Sequence, residues 1–443
     1  MDKLLRKIAD YSAAIGVIGL GYVGLPLAIA FSKKFSVVGY DVNSKSIRHL
    51  QNGRSHIQDV PDHQIEACVN RSFFPTDDPC DLKRSDFIII CVPTPLTEER
   101  LPDLKYIKSA CATISGILRK SQFVILESTT YPGTTEEVVI PILEECGLKA
   151  GSDFGIAYSP ERIDPGNKQF SVDEIPKVVG GLNDKCTEIA GSLYGAIIKE
   201  IIPVRDMRTA ESVKMMENIF RNVNIALVNE MALIFERMGI NTWEVVDAAA
   251  TKPYGFMPFY PGPGIGGHCI PLDPFYMAYR AKKYGFIPRF IETSGEINEF
   301  MKMHVVNLIE KGLKRVGKRT YGAKVSVMGL AYKKNINDPR ESPAIKVIEE
   351  LVRLGAQVRV YDPYVPSLQT RAGEFASTMS IEEALDGAEC AVFLTDHDVF
   401  RDADISVLKE LMAAPVIVDG KNLFEGEEGV IYLGIGKGDK CQY

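Results

Sequence analysis

Residues 14–18 read Ala-Ile-Gly-Val-Ile, a β-rich apolar run, followed by glycines and then by helix-forming residues as far as Ala28. A second short run, Ser36-Val-Val-Gly-Tyr, closes on an acid, Asp41. Strand, turn, helix, strand is the order of a βαβ unit, and strands predicted at 86–92 and 122–127 extend it into a doubly wound parallel sheet. Residues 209–238 contain neither Gly nor Pro and carry apolar residues at helical spacing, which predicts one long helix. Helical patterning continues to about residue 318, broken by a Pro/Gly-rich loop over 254–274. An apolar run at 324–331, a predicted helix over 342–354 and a strand over 357–362 then repeat the plan of the first unit. The echo includes a Gly-Leu after the first strand and a Tyr-Asp closing the second. The expected class is α/β: two nucleotide-binding-type domains, 1–205 and 319–443, joined by a helical middle domain, 206–318, with a long central helix.

Composition narrows what such a chain does. Its 443 residues, 46% hydrophobic and 25% charged, exclude a disordered tail protein, a collagen-like fibre and a small disulfide scaffold. The net charge of -7, with no run of five or six like charges, argues against nucleic acid or an anionic membrane as partner. The apolar run after Lys3, Arg6 and Lys7 lacks a small-residue cleavage site and reads as a buried strand rather than a signal peptide. No apolar stretch is long and glycine-free enough to span a bilayer. Nine cysteines without a C-x-x-C pair point to reduced thiols in a cytoplasm.

Gly19, Gly21 and Gly24 form G-x-G-x-x-G at the strand-to-helix turn, the Rossmann arrangement in which backbone approaches a pyrophosphate and a helix N-terminus supplies partial positive charge. Asp41 is placed to accept from a ribose diol and would repel a 2′-phosphate, so NAD is favoured over NADP. Lys45 is either a simple solvated lysine or a neighbour of the adenosine ribose. In the Pro/Gly-rich loop, Cys269 with Asp273 four residues on pairs a nucleophile with a carboxylate. His268 beside it lacks metal-ligand spacing, so no metal is expected. Cys91 and Cys111, in apolar segments, read as inert. His49, His56 and His63, spaced by seven, are expected to share a solvated helix face.

Lys214, Asn218 and Asn222 align at i, i+4 and i+8 on the long helix. They are either an exposed polar face or an ammonium and amide aimed at a reacting oxygen. Glu161 and Arg162 enter a loop from a strand end, as does Ser128-Thr129-Thr130. Lys333, Lys334 and Arg340 form a basic cluster suited to phosphate, or a solvated loop.

Together these residues resemble the UDP-glucose/GDP-mannose dehydrogenase family over essentially the whole chain. The resemblance is carried, in order, by Gly-Leu-Gly-Tyr-Val-Gly-Leu-Pro, Ser-Thr-Thr-Tyr-Pro-Gly-Thr-Thr, Ser-Pro-Glu-Arg-Ile-Asp-Pro-Gly, Lys214 with Asn218, Gly-Gly-His-Cys and Asp-Pro-Arg-Glu-Ser-Pro. Gly-Gly-His-Cys-Ile-Pro-Leu-Asp-Pro-Phe-Tyr looks like the UDP-N-acetylglucosamine 6-dehydrogenase branch rather than the UDP-glucose enzymes. The resemblance implies four-electron oxidation of a nucleotide sugar's primary alcohol with two NAD, through a thiohemiacetal and a thioester on Cys269, for surface polysaccharide biosynthesis. It implies NAD on Gly19, Gly21, Tyr22, Val23 and Gly24, with Thr94 and Thr129 along its path and Arg340 on its side of the cleft. Lys214 and Asn218 would stabilise oxyanions, and Asp273 or Glu161 would move protons. Glu161, Arg162, Ile163, the loop bearing Tyr260, Gly262, Gly266 and His268, and Lys333 would hold the UDP-sugar. It also implies a homodimer, or a higher homo-oligomer, through the long helix. The rival readings are a UDP-N-acetylmannosamine or UDP-glucose 6-dehydrogenase, a two-electron hydroxyacid dehydrogenase, and a non-catalytic nucleotide-binding protein.

Overall fold

The computed structural model describes residues 1–57, 60–97, 99–162, 170–267 and 270–438. They fall into two units, residues 1–217 with 275–286, and residues 218–274 with Ile287 onward.

The first unit holds strands β1 (Ala14–Ile18), β2 (Ser36–Tyr40), β3 (Phe73–Thr76), β4 (Phe87–Ile90), β5 (Phe123–Leu126), β6 (Gly155–Tyr158), β7 (Lys177–Gly181) and β8 (Ile201–Pro203). They form one sheet in the order β3-β2-β1-β4-β5-β6-β7-β8. β1 to β6 run parallel, as expected, and the order reverses beside β1, where a doubly wound sheet opens its crevice. β7 departs from the all-parallel expectation: it pairs antiparallel with β6 and parallel with β8, so no crossover helix is required between β6 and β7. Strands covered on both faces become unbroken apolar runs, and Phe87-Ile-Ile-Ile90 and Phe123-Val-Ile-Leu126 are buried at every residue. The register pairs Ile18 with Tyr40 and Ile90, Ile90 with Leu126, and Leu126 with Tyr158. Gly19, Asp41, Cys91, Glu127 and Ser159 therefore leave the sheet along one carboxyl edge.

In the second unit β9 (Lys324–Met328), β10 (Gln357–Tyr361), β13 (Cys390–Phe393), β14 (Val416–Asp419) and β15 (Ile431–Gly434) form a parallel sheet in the order β10-β9-β13-β14-β15. β11 (Ser367–Thr370) and β12 (Gly373–Ala376) make a separate antiparallel pair. The helix Pro343–Arg353 buries Ala344, Val347, Ile348 and Leu351, the i, i+3, i+4, i+7 stripe that seats a helix on a sheet. The helix Arg289–Arg315 buries Met301, Val305, Leu308 and Ile309.

The long helix predicted over 209–238 runs from Met207 to Met238, its residues 207–217 in the first unit and 218–238 in the second. The Pro/Gly-rich loop ends at Asp273, where the helix Asp273–Lys283 takes Pro274 into its first turn, the position at which a missing N–H costs nothing. The three histidines do not share a helix face. His49 lies in the helix Ser44–Gln51, His56 follows in a loop, and His63 lies in the helix Asp62–Cys68. Gly53, at φ +76°, ends the first of these helices before the spacing of seven can act. Among the described residues no helix is long and apolar enough to cross a membrane.

Candidate active site

At the turn after β1 each glycine has a different reason to be there. Gly19 holds φ +89°, and a Cβ on it would lie 2.6 Å from the Cys91 carbonyl oxygen. A Cβ on Gly24 would fall 1.8 Å from the Gly19 oxygen, so this glycine lets the helix start against the turn. A Cβ on Gly21 would meet nothing within 4 Å among the described residues, none of which therefore requires glycine there. What the missing Cβ provides is bare, exposed backbone. Tyr22 and Val23 are half-buried behind it. The helix Gly24–Ser32 has no side-chain N-cap, whereas the helix Ser44–Gln51 is capped by Asn43. Its first N–H groups and its dipole are thus left for an anion. Asp41 accepts from Leu20 N–H on one oxygen and Asn43 N–H on the other, both at 2.8 Å, which fixes the carboxylate plane and leaves each oxygen a lone pair. Lys45 is exposed in the first turn of the following helix. The Thr94 carbonyl accepts from the Tyr276 hydroxyl at 2.9 Å.

Along the same carboxyl edge, the half-buried Thr129 opens the loop into a helical stretch, Thr135–Glu144, whose first turns are π-wide. Sequence reasoning missed what holds this loop: Glu211 of the long helix accepts from Gly133 N–H at 2.5 Å, Thr135 N–H at 2.9 Å and the Thr135 hydroxyl at 2.7 Å. Burial pushes the Glu211 carboxyl up to about 7 against the pull of those donors. One turn on, Lys214 is buried and donates to the Glu161 carbonyl oxygen at 2.6 Å. Glu161 is itself buried beyond β6, and Arg162 pairs with Glu217 at 2.7 Å and donates to the Pro176 carbonyl at 2.7 Å. Ile163 lies outside the described residues.

In the second unit Asn218 and Asn222 are also buried, so the aligned stripe is not a solvated face. Asn218 Nδ2 donates to Asp273 Oδ2 at 2.5 Å, and Asn222 Nδ2 donates to the Ile270 carbonyl at 3.2 Å. The long helix therefore clamps the segment that follows Cys269 at two points. His268 and Cys269 themselves lie outside the described residues. Tyr260 stacks on Trp243 and donates to Asp247, while Gly262 N–H is held by Asn229 at 2.9 Å. Gly266 packs so closely under Tyr332 that a Cβ would approach its Cβ to 2.6 Å, which ties this loop to the one after β9. There Arg340 forms a two-pronged pair with Asp338, with Nε–Oδ1 at 2.8 Å and Nη2–Oδ2 at 2.6 Å. Lys334 stands 3.9 Å from Asp398, and Lys333 is half-buried.

Three family models match in chain order: the NAD binding domain of the UDP-glucose/GDP-mannose dehydrogenase family over residues 13–198, its central domain over 208–300 and its UDP binding domain over 326–426. The chain belongs to this family. It is an NAD-dependent nucleotide-sugar dehydrogenase. It is 37% identical to a UDP-N-acetyl-D-mannosamine dehydrogenase of Pyrococcus horikoshii, covering 96% of this chain and 99% of that one. It is also 37% identical to a UDP-N-acetyl-D-glucosamine 6-dehydrogenase of Pseudomonas aeruginosa, covering 95% and 99%. A solved structure of UDP-D-ManNAc dehydrogenase from Pyrococcus horikoshii superposes with a TM-score of 0.89 at 37% identity, over 96% of this chain and 100% of that one.

Besides Glu211, sequence reasoning passed over Glu127 and Lys177, both buried charges near this carboxyl edge. A lysine opening an otherwise apolar strand, and an acid ending another, were the available signals. His56, on no shared face, instead places Nε2 2.9 Å from the Leu20 carbonyl oxygen in the glycine turn.

Proposed function

We propose that this dehydrogenase takes the C6 primary alcohol of a UDP-sugar to the carboxylate in two NAD-dependent oxidations, with UDP-N-acetylglucosamine as substrate and Cys269 as the covalent carrier. The observation that carries this reading is the Asn218–Asp273 pair, a buried carboxylate oriented by an amide, four residues along the chain from Cys269. A fixed carboxylate four residues along the chain from a nucleophile suits the one step that needs water, hydrolysis of a thioester.

NAD would lie on Gly19, Gly21, Tyr22, Val23 and Gly24, with Asp41 on its ribose, Lys45 beside it and Thr94 and Thr129 along its path. The bare Gly21 backbone and the uncapped helix support that placement. Bound NAD supplies the hydride acceptor for both oxidations. In the first, C6 loses a hydride and its hydroxyl a proton, which Glu161 would receive. The Cys269 sulfur then adds to the aldehyde carbon, and the oxygen takes up a proton to complete a thiohemiacetal. Loss of the second hydride and that proton leaves a thioester. Water, deprotonated by Asp273, adds to the carbonyl, and the thiolate leaves with the carboxylate formed. Lys214 carries three donors, so it serves the Glu161 carbonyl and an oxyanion together, with Asn218 as the amide partner. Tyr260, Gly262, Gly266, His268, Arg162, Ile163 and Lys333 would hold the UDP-sugar, with Arg340 on the cofactor's side.

The choice of sugar rests on Gly-Gly-His-Cys-Ile-Pro-Leu-Asp, which resembles the N-acetylglucosamine branch. UDP-N-acetylmannosamine is the second reading, favoured by the Pyrococcus relative and solved structure. The test is turnover of the full chain on UDP-N-acetylglucosamine, UDP-N-acetylmannosamine and UDP-glucose. Two NADH per N-acetylglucosamine are expected, with no carboxylate formed by Cys269→Ala. One NADH per sugar, or a preference for another sugar, refutes the corresponding part of the proposal.

A reduced thiol suits a cytoplasmic enzyme whose uronate product serves a surface polysaccharide. We also propose a homodimer through the long helix, where Phe220, Leu227 and Ile234 recur every seven residues and are all exposed. Sedimentation should give a dimer that Leu227→Glu weakens. A wild-type monomer at micromolar concentration overturns this.

A further inference from the structure

Glu127, Lys177 and Glu161 form a buried cluster beyond the carboxyl edge of the first sheet, their side chains 0%, 7% and 9% exposed. Glu127 follows β5, Glu161 follows β6, and Lys177 opens the antiparallel β7, which is why its ammonium reaches the edge where the parallel strands end. Lys177 Nζ donates to Glu127 Oε1 and, at 3.2 Å, to Glu161 Oε2. The Cys91 thiol, after β4, points to Glu127 Oε2 at 3.5 Å, and the Tyr194 ring, from the helix Asp184–Gly195, lies 5.1 Å from the ammonium. Cys91, Glu161, Lys177 and Tyr194 are thus the titratable groups around Glu127.

Replacing a buried ion cluster with packed apolar side chains is often neutral or stabilising, so stability alone is a weak reason for this one. Its geometric effect is specific. All three oxygens of Glu161 are engaged: Oε2 by Lys177, Oε1 by Arg162 N–H at 2.7 Å, and the main-chain oxygen by Lys214 at 2.6 Å. Lys177 thereby holds the side chain whose backbone holds Lys214. Two carboxylates also share one ammonium, so a proton on either changes what the other receives. Burial pushes Glu127 up to about 7 even beside Lys177, while the two acids outweigh burial and hold Lys177 charged.

We propose that Glu127 and Lys177 are positioning residues for the oxidation, setting the orientation and proton occupancy of Glu161 and, through its backbone, the place of Lys214. This rests on the reading above that Glu161 receives the substrate's proton. Lys177→Met should lower kcat about a hundredfold, with KM for NAD held within about twofold. Glu127→Gln keeps the shape and remains informative if Lys177→Met does not fold. It gives the whole ammonium to Glu161, so the acid limb of the kcat profile should move down by about one pH unit. Difference infrared spectra should show a protonated carboxyl titrating in the neutral range in the wild type and missing in Glu127→Gln. Glu161→Gln is the control. If it keeps the wild-type profile, the role of Glu161 fails and this inference with it. If it loses the limb while Glu127→Gln leaves limb and spectrum unchanged, the role of Glu127 and Lys177 alone is overturned.

Discussion

The turn after β1 and the turn after β9 are built on the same plan and end in different uses. Gly19 and Gly329 hold φ +89° and +91°, and donate to the Tyr40 and Tyr361 carbonyls at 2.9 and 2.8 Å. The next residues, Leu20 and Leu330, donate to Asp41 and Asp362 at 2.8 and 2.6 Å. From there the first chain enters a helix at Gly24 that no side chain caps. The second runs through a long loop to a helix that begins at Pro343 and is capped by Ser342. Asp41 accepts one backbone N–H on each oxygen. Asp362 accepts Leu330 and Ala331 on one oxygen, Tyr364 and Val365 on the other, and His397 besides. His397 Nδ1 accepts from Asn335 N–H at 2.9 Å, so the ring proton lies on Nε2 and is donated to Asp362. An acid closing the second strand is therefore common to both domains, and the two differ in unspent hydrogen-bonding capacity, which is the ground for proposing Asp41 as the ribose acceptor.

The contrast breaks most readily at Asp362. The carboxyl and His397 side chains are both 0% exposed, so Asp362→Asn turns an amide donor toward backbone N–H groups with no water to compensate. Thermal or urea unfolding should show a loss of about 3–5 kcal/mol. The same substitution at the half-exposed Asp41 should cost about 1 kcal/mol or less. Burial opposes ionisation of Asp362, but His397 and the backbone donors outweigh it and hold the acid below its usual range. A lowered acid contributes its stability in full above the unfolded carboxylate range and loses it as pH falls through the folded value. The variant's deficit should thus be constant at neutral pH and shrink in acid. Equal losses at Asp41 and Asp362 would refute the distinction.

Which parts of this were legible in the chain follows from how far each feature reaches. Gly19, Gly21, Gly24 and Asp41 sit within one βαβ unit, and their spacing carries their meaning. Lys214, Asn218 and Asn222 share a helix face, so their alignment was readable, but their burial depended on Ile270, Asp273 and Glu161, far along the chain. Asp362 showed as an echo of Asp41, whereas its saturation by His397 is set where β13 falls in the sheet. Glu127 and Lys177 showed only as an acid ending one apolar strand and a lysine opening another, because their pairing is created by the reversal of β7 and an apolar run carries no sign of strand direction. The even spacing of His49, His56 and His63 misled because Gly53 breaks the helix between them.

The smallest structural change offers the finest test of the comparison. Gly21 in the first turn corresponds to Ala331 in the second, where the side chain is 1% exposed and packed in the core. A methyl at 21 would meet no atom of the described residues within 4 Å. Gly21→Ala therefore copies the second turn into the first at almost no cost to folding, within about 0.5 kcal/mol by denaturant unfolding. If the bare backbone is where the pyrophosphate approaches, the same methyl should weaken NAD about tenfold, near 1.4 kcal/mol, measured by fluorescence titration or as KM. UDP-sugar affinity should be unmoved. Unchanged NAD affinity would mean that the bare Gly21 backbone takes no part in holding the cofactor, and that the glycine distinguishes the two turns without serving either.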